Sequence, residues 1–520
     1  MRTPIPIALR SAVAAVAAAA VAAGAVVALD PSAAGAAPCP ALPSPLPAPA
    51  SLPAVGALPD PFALFDGTRI ASPADWACRR GQLAELIQTY EYGHLPPAPS
   101  SVTGTRTGNT LTVTVQANGR TAAFNATLRL PSGNGPFPAL IEFNPLAAAA
   151  TTRGYAEVLI NPPDIAADST AKTGAFWTLY NGTGADTGAL LAWAWGVSRT
   201  LDALRAVPQI DPTRVGVSGY SRYGKAAVVA GAFDERIALT VPGSSGTAGM
   251  GNYRFFFTNN SNDEKLEDIL GAPYWFTQRF ATFRNQATRL PFDQNSVVAL
   301  VAPRPLLATS GTEGSDIRTN PQGSGLTFRA AQLVYQFLGA RDRIGIAYRP
   351  GGHQIDLNDF NAIMDFADKN LKGLPVSRTF DSVPFPAPTP AQIPWTVPSG
   401  QTSTPPVTST PPVTTTPPPP TGGCAAAYQV VNSWQGGFQA NVTVTAGGSA
   451  VNGWTVRWTF PGNQAITQLW NGTPPPAGPN ITVRNLSYNA AIPAGGNTTF
   501  GFTATGNGSP VPAPPTCASP

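Results

Sequence analysis

The stretch Val215-Gly216-Val217-Ser218-Gly219-Tyr220-Ser221-Arg222-Tyr223-Gly224-Lys225-Ala226-Ala227 decides the fold. A short apolar run ends in glycine, a serine follows, and an alanine-rich segment begins after a second glycine. That order predicts a buried strand, a tight turn and a helix, with Ser221 at the turn. The turn exposes the serine hydroxyl. The helix N-terminus behind it offers backbone N–H groups to a developing oxyanion. The spacing is Gly-x-Ser-x-x-Gly, not the Gly-x-Ser-x-Gly of the general nucleophile elbow, so an ordinary glycine-rich strand-to-helix turn is the competing reading.

Working outward, short apolar runs recur at residues 139–143, 156–160, 215–217, 237–241, 306–308 and 344–348. Runs without alternation suit strands buried on both faces of a parallel sheet. Between the second and third, Leu190, Ala194, Val197, Leu201 and Leu204 follow helical spacing. Strand–helix alternation predicts a doubly wound α/β sheet. Before it, residues 110–115 and 124–130 alternate around Asn118-Gly119, a hairpin signal.

A serine hydrolase needs a histidine to take the hydroxyl proton and return it to the leaving group. The chain has two. His353 stands in Arg349-Pro350-Gly351-Gly352-His353, just past the last apolar run. An α/β-hydrolase places its base on that loop. His94, before the sheet begins, reads as structural. The acid should lie between Ser221 and His353, since this fold runs serine, acid, histidine. After the run at 306–308 come Ser310-Gly311-Thr312-Glu313-Gly314-Ser315-Asp316. Asp316 is the choice and Glu313 the alternative. Asp356 and Asp359 follow the histidine too closely and read as solvated loop carboxylates.

At 520 residues, more than one domain is expected. Only 12% of residues are charged and the net charge is +4, with no Lys/Arg-rich run, which excludes a nucleic-acid partner. Residues 1–37 read as an export signal: Arg2 and Arg10, an alanine/valine run, then Ala34-Gly35-Ala36 for cleavage. The competing reading of that run is a membrane anchor, since it is near spanning length. No later segment is long and apolar enough to span a bilayer, and a secreted, extracellular protein free of the membrane after signal cleavage is expected. In an exported chain the four cysteines suggest disulfides, Cys39 with Cys78 and Cys424 with Cys517, one per domain. No CxxC or His-rich cluster indicates a structural metal. Residues 398–423 are uncharged Pro/Thr/Ser sequence, a spacer favouring polyproline II. They separate an α/β-hydrolase domain at 38–397 from residues 424–520, whose Thr, Val, Gly, Asn and aromatic content predicts a small β-sandwich.

The first domain resembles the glucuronoyl esterases, carbohydrate esterase family 15. The resemblance lies in Leu58-Pro59-Asp60-Pro61-Phe62, Asp75-Trp76-Ala77-Cys78-Arg79-Arg80, Tyr90-Glu91-Tyr92-Gly93 and Gly-x-Ser221-Arg222-x-Gly-Lys225. It implies hydrolysis of the ester between a 4-O-methyl-glucuronic acid branch of xylan and an alcohol of lignin. Ser221 would be nucleophile, His353 base then acid, Arg222 an oxyanion holder and Lys225 a donor to sugar hydroxyls, with no metal or organic cofactor. Many members carry a catalytic glutamate in a Glu-Ser-Gly segment. Here Pro242-Gly243-Ser244-Ser245-Gly246 has no acid, as in other bacterial members whose acid follows the next strand, and that favours Asp316. Fungal members have cysteine where Tyr220 stands.

Residues 424–517 resemble a family 2 carbohydrate-binding module, through Asn432-Ser433-Trp434, Val451-Asn452-Gly453-Trp454, Ile466-Thr467-Gln468-Leu469-Trp470-Asn471 and Asn485-Leu486-Ser487-Tyr488. The resemblance implies that Trp434, Trp470 and Tyr488 form a flat strip. Flat rings stack on the apolar faces of sugar rings in a polysaccharide such as cellulose. Trp454 and Trp458 alternate with Arg457 and fit core packing. The implied partner is plant cell-wall polysaccharide. Two other readings stand beside this one: an esterase removing acetyl or other acyl groups, and a binding protein whose hydrolase domain is inactive.

Overall fold

The computed structural model describes residues 39–145, 150–257, 263–398, 423–434, 437–473, 478–486, 489–506 and 515–519. The expected export signal and most of the expected spacer lie outside the described residues. The chain divides into two units, residues 1–403 and 404–520.

In the first unit the strands are β1 (Ser101–Thr107), β2 (Thr110–Ala117), β3 (Arg120–Arg129), β4 (Phe137–Glu142), β5 (Ala156–Ile160), β6 (Ile210–Tyr220), β7 (Leu239–Gly243), β8 (Leu306–Gly311) and β9 (Ile344–Arg349). They form one sheet in the order β1-β2-β3-β5-β4-β6-β7-β8-β9. The β1–β2, β2–β3 and β3–β5 pairs are antiparallel, and every pair from β5 to β9 is parallel. The doubly wound α/β architecture is therefore present, with an antiparallel extension. Asn118 and Gly119 join β2 to β3 with φ of 52° and 71°. Both central residues of a type I′ turn need positive φ, and this pair tolerates it. Strand β1 carries no apolar run because it is an edge strand of half-exposed and exposed residues, so nothing in its pattern predicted it.

The helices that matter to the site are α1 (Trp76–Ile87), α2 (Ala189–Ala203), α3 (Arg222–Phe233), α4 (Pro321–Phe337) and α5 (Leu357–Leu371). Successive strand residues face opposite ways, and the core splits accordingly. Ala139, Ile141, Val158 and Val217 join the cluster that includes α2, α3 and α4. Leu140, Leu239, Val241 and Leu307 instead pack with Phe360, Ile363 and Phe366 of α5. Both faces are covered, which is why these strands read as unbroken apolar runs. A Cys39–Cys78 disulfide ties the N-terminal segment to α1.

The second unit is all β. Strands β10 (Cys424–Trp434), β11 (Gly437–Ala446), β12 (Val451–Asn452), β13 (Thr455–Thr459), β14 (Ala465–Trp470), β15 (Asn480–Arg484), β16 (Ala491–Ile492), β17 (Asn497–Thr505) and β18 (Thr516–Ala518) form sheets β10-β11-β17-β14, β12-β16 and β15-β13-β18. Trp454 stacks on Phe500 and Trp458 on Phe502 in a buried core. Cys424 and Cys517 are disulfide-bonded, fastening β10 to β18.

Candidate active site

Four consecutive parallel strands deliver their C-terminal ends to one place, where open α/β sheets bind ligands. Ser221 follows β6, Ser244 follows β7, Asp316 follows β8 and His353 follows β9. Ser221 and His353 line a cavity of about 400 Å³ with Lys225, Ser244, Ser245, Glu264, Ser315, Arg318 and Thr319.

Ser221 has φ 59° and ψ −126°, a conformation L-residues rarely adopt. It caps α3, and its N–H donates to Gly243 O at 2.9 Å. The glycine spacing has a steric cause. A Cβ on Gly219 would lie 2.2 Å from the Tyr223 carbonyl oxygen, and one on Gly224 would lie 2.8 Å from the Gly243 carbonyl oxygen. The second glycine is placed where the first turn of the helix meets β7, not directly after the serine turn.

Asp316 is fully buried in the turn Gly314–Thr319. Its Oδ1 lies 2.7 Å from His353 Nδ1. Its Oδ2 accepts from the Ser244 hydroxyl at 2.7 Å and from the Gly311 N–H. A carboxylate held this way takes the Nδ1 proton as partner and leaves Nε2 as the basic nitrogen. The Tyr220 ring lies 5.0 Å from the imidazole, and burial pushes its hydroxyl up to about 12. Glu313 instead accepts from the Gly351 N–H at 3.3 Å. Asp356 caps α5, and Asp359 pairs with Arg349. His94 pairs with Asp186 and Glu85, in a cluster apart from the cavity.

Arg222 donates from Nη1 to Asp168 Oδ2 at 2.5 Å, and its guanidinium lies over Trp275. Lys225 is 3% exposed and donates to Ser245 O at 2.7 Å, Thr247 O at 2.7 Å and Glu264 Oε2 at 3.0 Å. An ammonium has three protons, and each has an acceptor here.

The family model "Glucuronyl esterase, fungi" matches residues 113–339, and "Cellulose binding domain" matches residues 424–518. A 4-O-methyl-glucuronoyl methylesterase of Podospora anserina is 43% identical over 279 residues, 52% of this chain and 57% of that protein. One from Hypocrea jecorina is 36% identical over 378 residues, 70% of this chain and 80% of its own length. The solved carbohydrate esterase family 15 glucuronoyl esterase from Caldicellulosiruptor kristjansonii is 40% identical, with a TM-score of 0.63, covering 67% of this chain and 99% of that one.

The chain belongs to the glucuronoyl esterases. It is a carboxylic ester hydrolase that also carries a cellulose-binding module. In this glucuronoyl esterase, sequence reasoning missed Ser244 beneath the aspartate, Glu264 beside the lysine, and Asp168 and Trp275 beside the arginine. None carries a local signal. Asp168 is 54 residues from Arg222 and Trp275 is 107 from Asp168, so only the fold brings them together. In the module, the backbones of Trp434 and Trp470 end β10 and β14 of the four-stranded sheet. Tyr488 lies outside the described residues.

Proposed function

We propose that the esterase works by a serine mechanism on glucuronate esters that join xylan to lignin, outside the cell, held at cellulose by its second unit. The observation that carries this reading is the 2.7 Å contact between Asp316 and His353 at the rim of the cavity that Ser221 lines.

The Ser221 hydroxyl attacks the uronate carbonyl while His353 Nε2 takes its proton. Asp316 holds the opposite ring nitrogen and stabilises the imidazolium that forms. Negative charge on the carbonyl oxygen is met by N–H groups at the start of α3 and by Arg222. Collapse of the tetrahedral intermediate expels the alcohol, which takes its proton from His353. Water then repeats the sequence on the acyl-enzyme and releases the uronate. Lys225 is not free to donate to sugar, as its three protons are spent on Ser245 O, Thr247 O and Glu264. It holds Glu264 in the cavity wall, and the Glu264 carboxylate presents the polar surface on which sugar hydroxyls are recognised. The relatives' names, 4-O-methyl-glucuronoyl methylesterases, support the uronate as the acyl part.

The test is hydrolysis of benzyl glucuronate beside acetylated xylan, by the protein and its Ser221→Ala variant. Release of benzyl alcohol that requires Ser221, with little acetate, is expected. Benzyl alcohol release undiminished in Ser221→Ala would overturn the serine mechanism, and acetate release alone would move the substrate to acyl esters.

A further inference from the structure

We propose that Asp168 is a positioning residue that both fixes and discharges Arg222, so that the guanidinium serves the oxyanion without trapping the uronate product. This rests on the oxyanion role given to Arg222 above.

The Arg222 side chain is 50% exposed, and a long, half-solvated side chain samples many rotamers unless something holds it. Asp168 is the anchor. Its side chain is 16% exposed and both oxygens are engaged. Oδ2 accepts from Arg222 Nη1, and Oδ1 accepts from Trp275 Nε1 at 2.8 Å. Trp275 is itself a buried member of the main core, so the carboxylate is fixed to a rigid element. The same indole ring lies under the guanidinium, 5.9 Å from its centre. Arginine is thus gripped by charge on one side and by a ring on the other.

Charge balance gives the second role. Lys225 and Arg318 line the cavity with Glu264, and Asp316 lies under His353. Those two cations and two anions cancel. Arg222 is then balanced by Asp168. Hydrolysis turns a neutral ester into a uronate, an anion above roughly pH 4. An uncompensated guanidinium on the residue next to Ser221, if it reaches the carbonyl oxygen as the oxyanion role requires, would bind that anion more tightly than the ester it came from. Neutralised by Asp168, it still donates hydrogen bonds to a developing oxyanion but adds little net attraction for the product.

The experiment compares the full chain with Asp168→Asn, Arg222→Ala and the double variant, on benzyl glucuronate at pH 7, with and without added free glucuronate. Asparagine keeps an acceptor for Trp275 and removes the charge. Asp168→Asn is expected to lower kcat about tenfold, to leave KM within about twofold, and to tighten inhibition by glucuronate several-fold. On the Arg222→Ala background the same change should alter neither quantity, because its only route is through the arginine. An equal fold-loss on both backgrounds, or unchanged product inhibition in Asp168→Asn, overturns the proposal. Trp275→Phe keeps the carboxylate but removes its anchor, so it should lower kcat without tightening product inhibition. If Asp168→Asn does not fold, wild-type kcat in Trp275→Phe overturns the anchoring. Arg222→Ala with wild-type kcat would sink the oxyanion role itself, whereas impaired Arg222→Ala beside unimpaired Asp168→Asn sinks only the present inference.

Discussion

Ser221 sits in a strained backbone conformation of a kind that costs on the order of 1–3 kcal/mol, so the surrounding packing must enforce it. Two glycines and a backbone hydrogen bond to Gly243 do so. That much was legible in the sequence, because a strand, a turn and a helix leave local marks. His353, one of two histidines, was legible from its place after the last apolar run. The sequence favoured Asp316 over Glu313 without a local mark to separate them, since they stand three residues apart on one loop. Geometry separates them: Asp316 is buried against the imidazole, and Glu313 holds a backbone N–H at the loop surface. Asp316→Ala is accordingly expected to lower kcat by about three to four orders of magnitude, and Glu313→Ala by less than about tenfold. Steady-state kinetics on a soluble glucuronate ester checks both. The reverse pattern would move the acid to Glu313.

At the scale of elements, α1 runs into a turn at Gln88–Tyr92 that buries a carboxylate. Glu91 is wholly enclosed and accepts from the Tyr253 hydroxyl at 2.5 Å and from Gln294 at 3.2 Å. Burial pushes its carboxyl up to about 8. The ordinary value is 4.5, so between pH 4.5 and about 8 the unfolded chain gives up a proton that the folded chain keeps. The folded state binds more protons over that window, and stability falls as pH rises through it. Glu91→Gln has no such proton. Urea denaturation at pH 5 and pH 8 should show the variant gaining on the wild type at the higher pH, and parallel pH profiles would mean that Glu91 is ionised in the fold. Helix α5 offers a simpler case. Phe366 is fully buried and meets the Phe380 ring edge-on at 4.9 Å. Phe366→Ala should cost about 3–5 kcal/mol by the same denaturation assay. The apolar spacing of such elements is readable in advance. A buried glutamate is not, because its partners Tyr253 and Gln294 come from chain 162 and 203 residues away.

For the whole molecule the question is whether binding and catalysis are separable. Each unit has its own core and its own disulfide. The site residues all lie in the first unit, and the cellulose-binding match lies wholly in the second. Nothing chemical in the first unit requires the second, so a change in the second should move affinity for an insoluble polymer and leave soluble turnover alone. Trp470 ends a strand of the four-stranded sheet and is one of the three aromatic residues that the resemblance assigns to sugar stacking. A ring stacked on a pyranose face covers apolar C–H surface that would otherwise meet water, and truncation to alanine loses that contact. Trp470→Ala should therefore shift the protein from the cellulose pellet to the supernatant in a sedimentation assay, with kcat/KM on benzyl glucuronate unchanged. Unchanged sedimentation would remove Trp470 from the binding strip. Sedimentation and turnover falling together would show instead that the two units depend on each other.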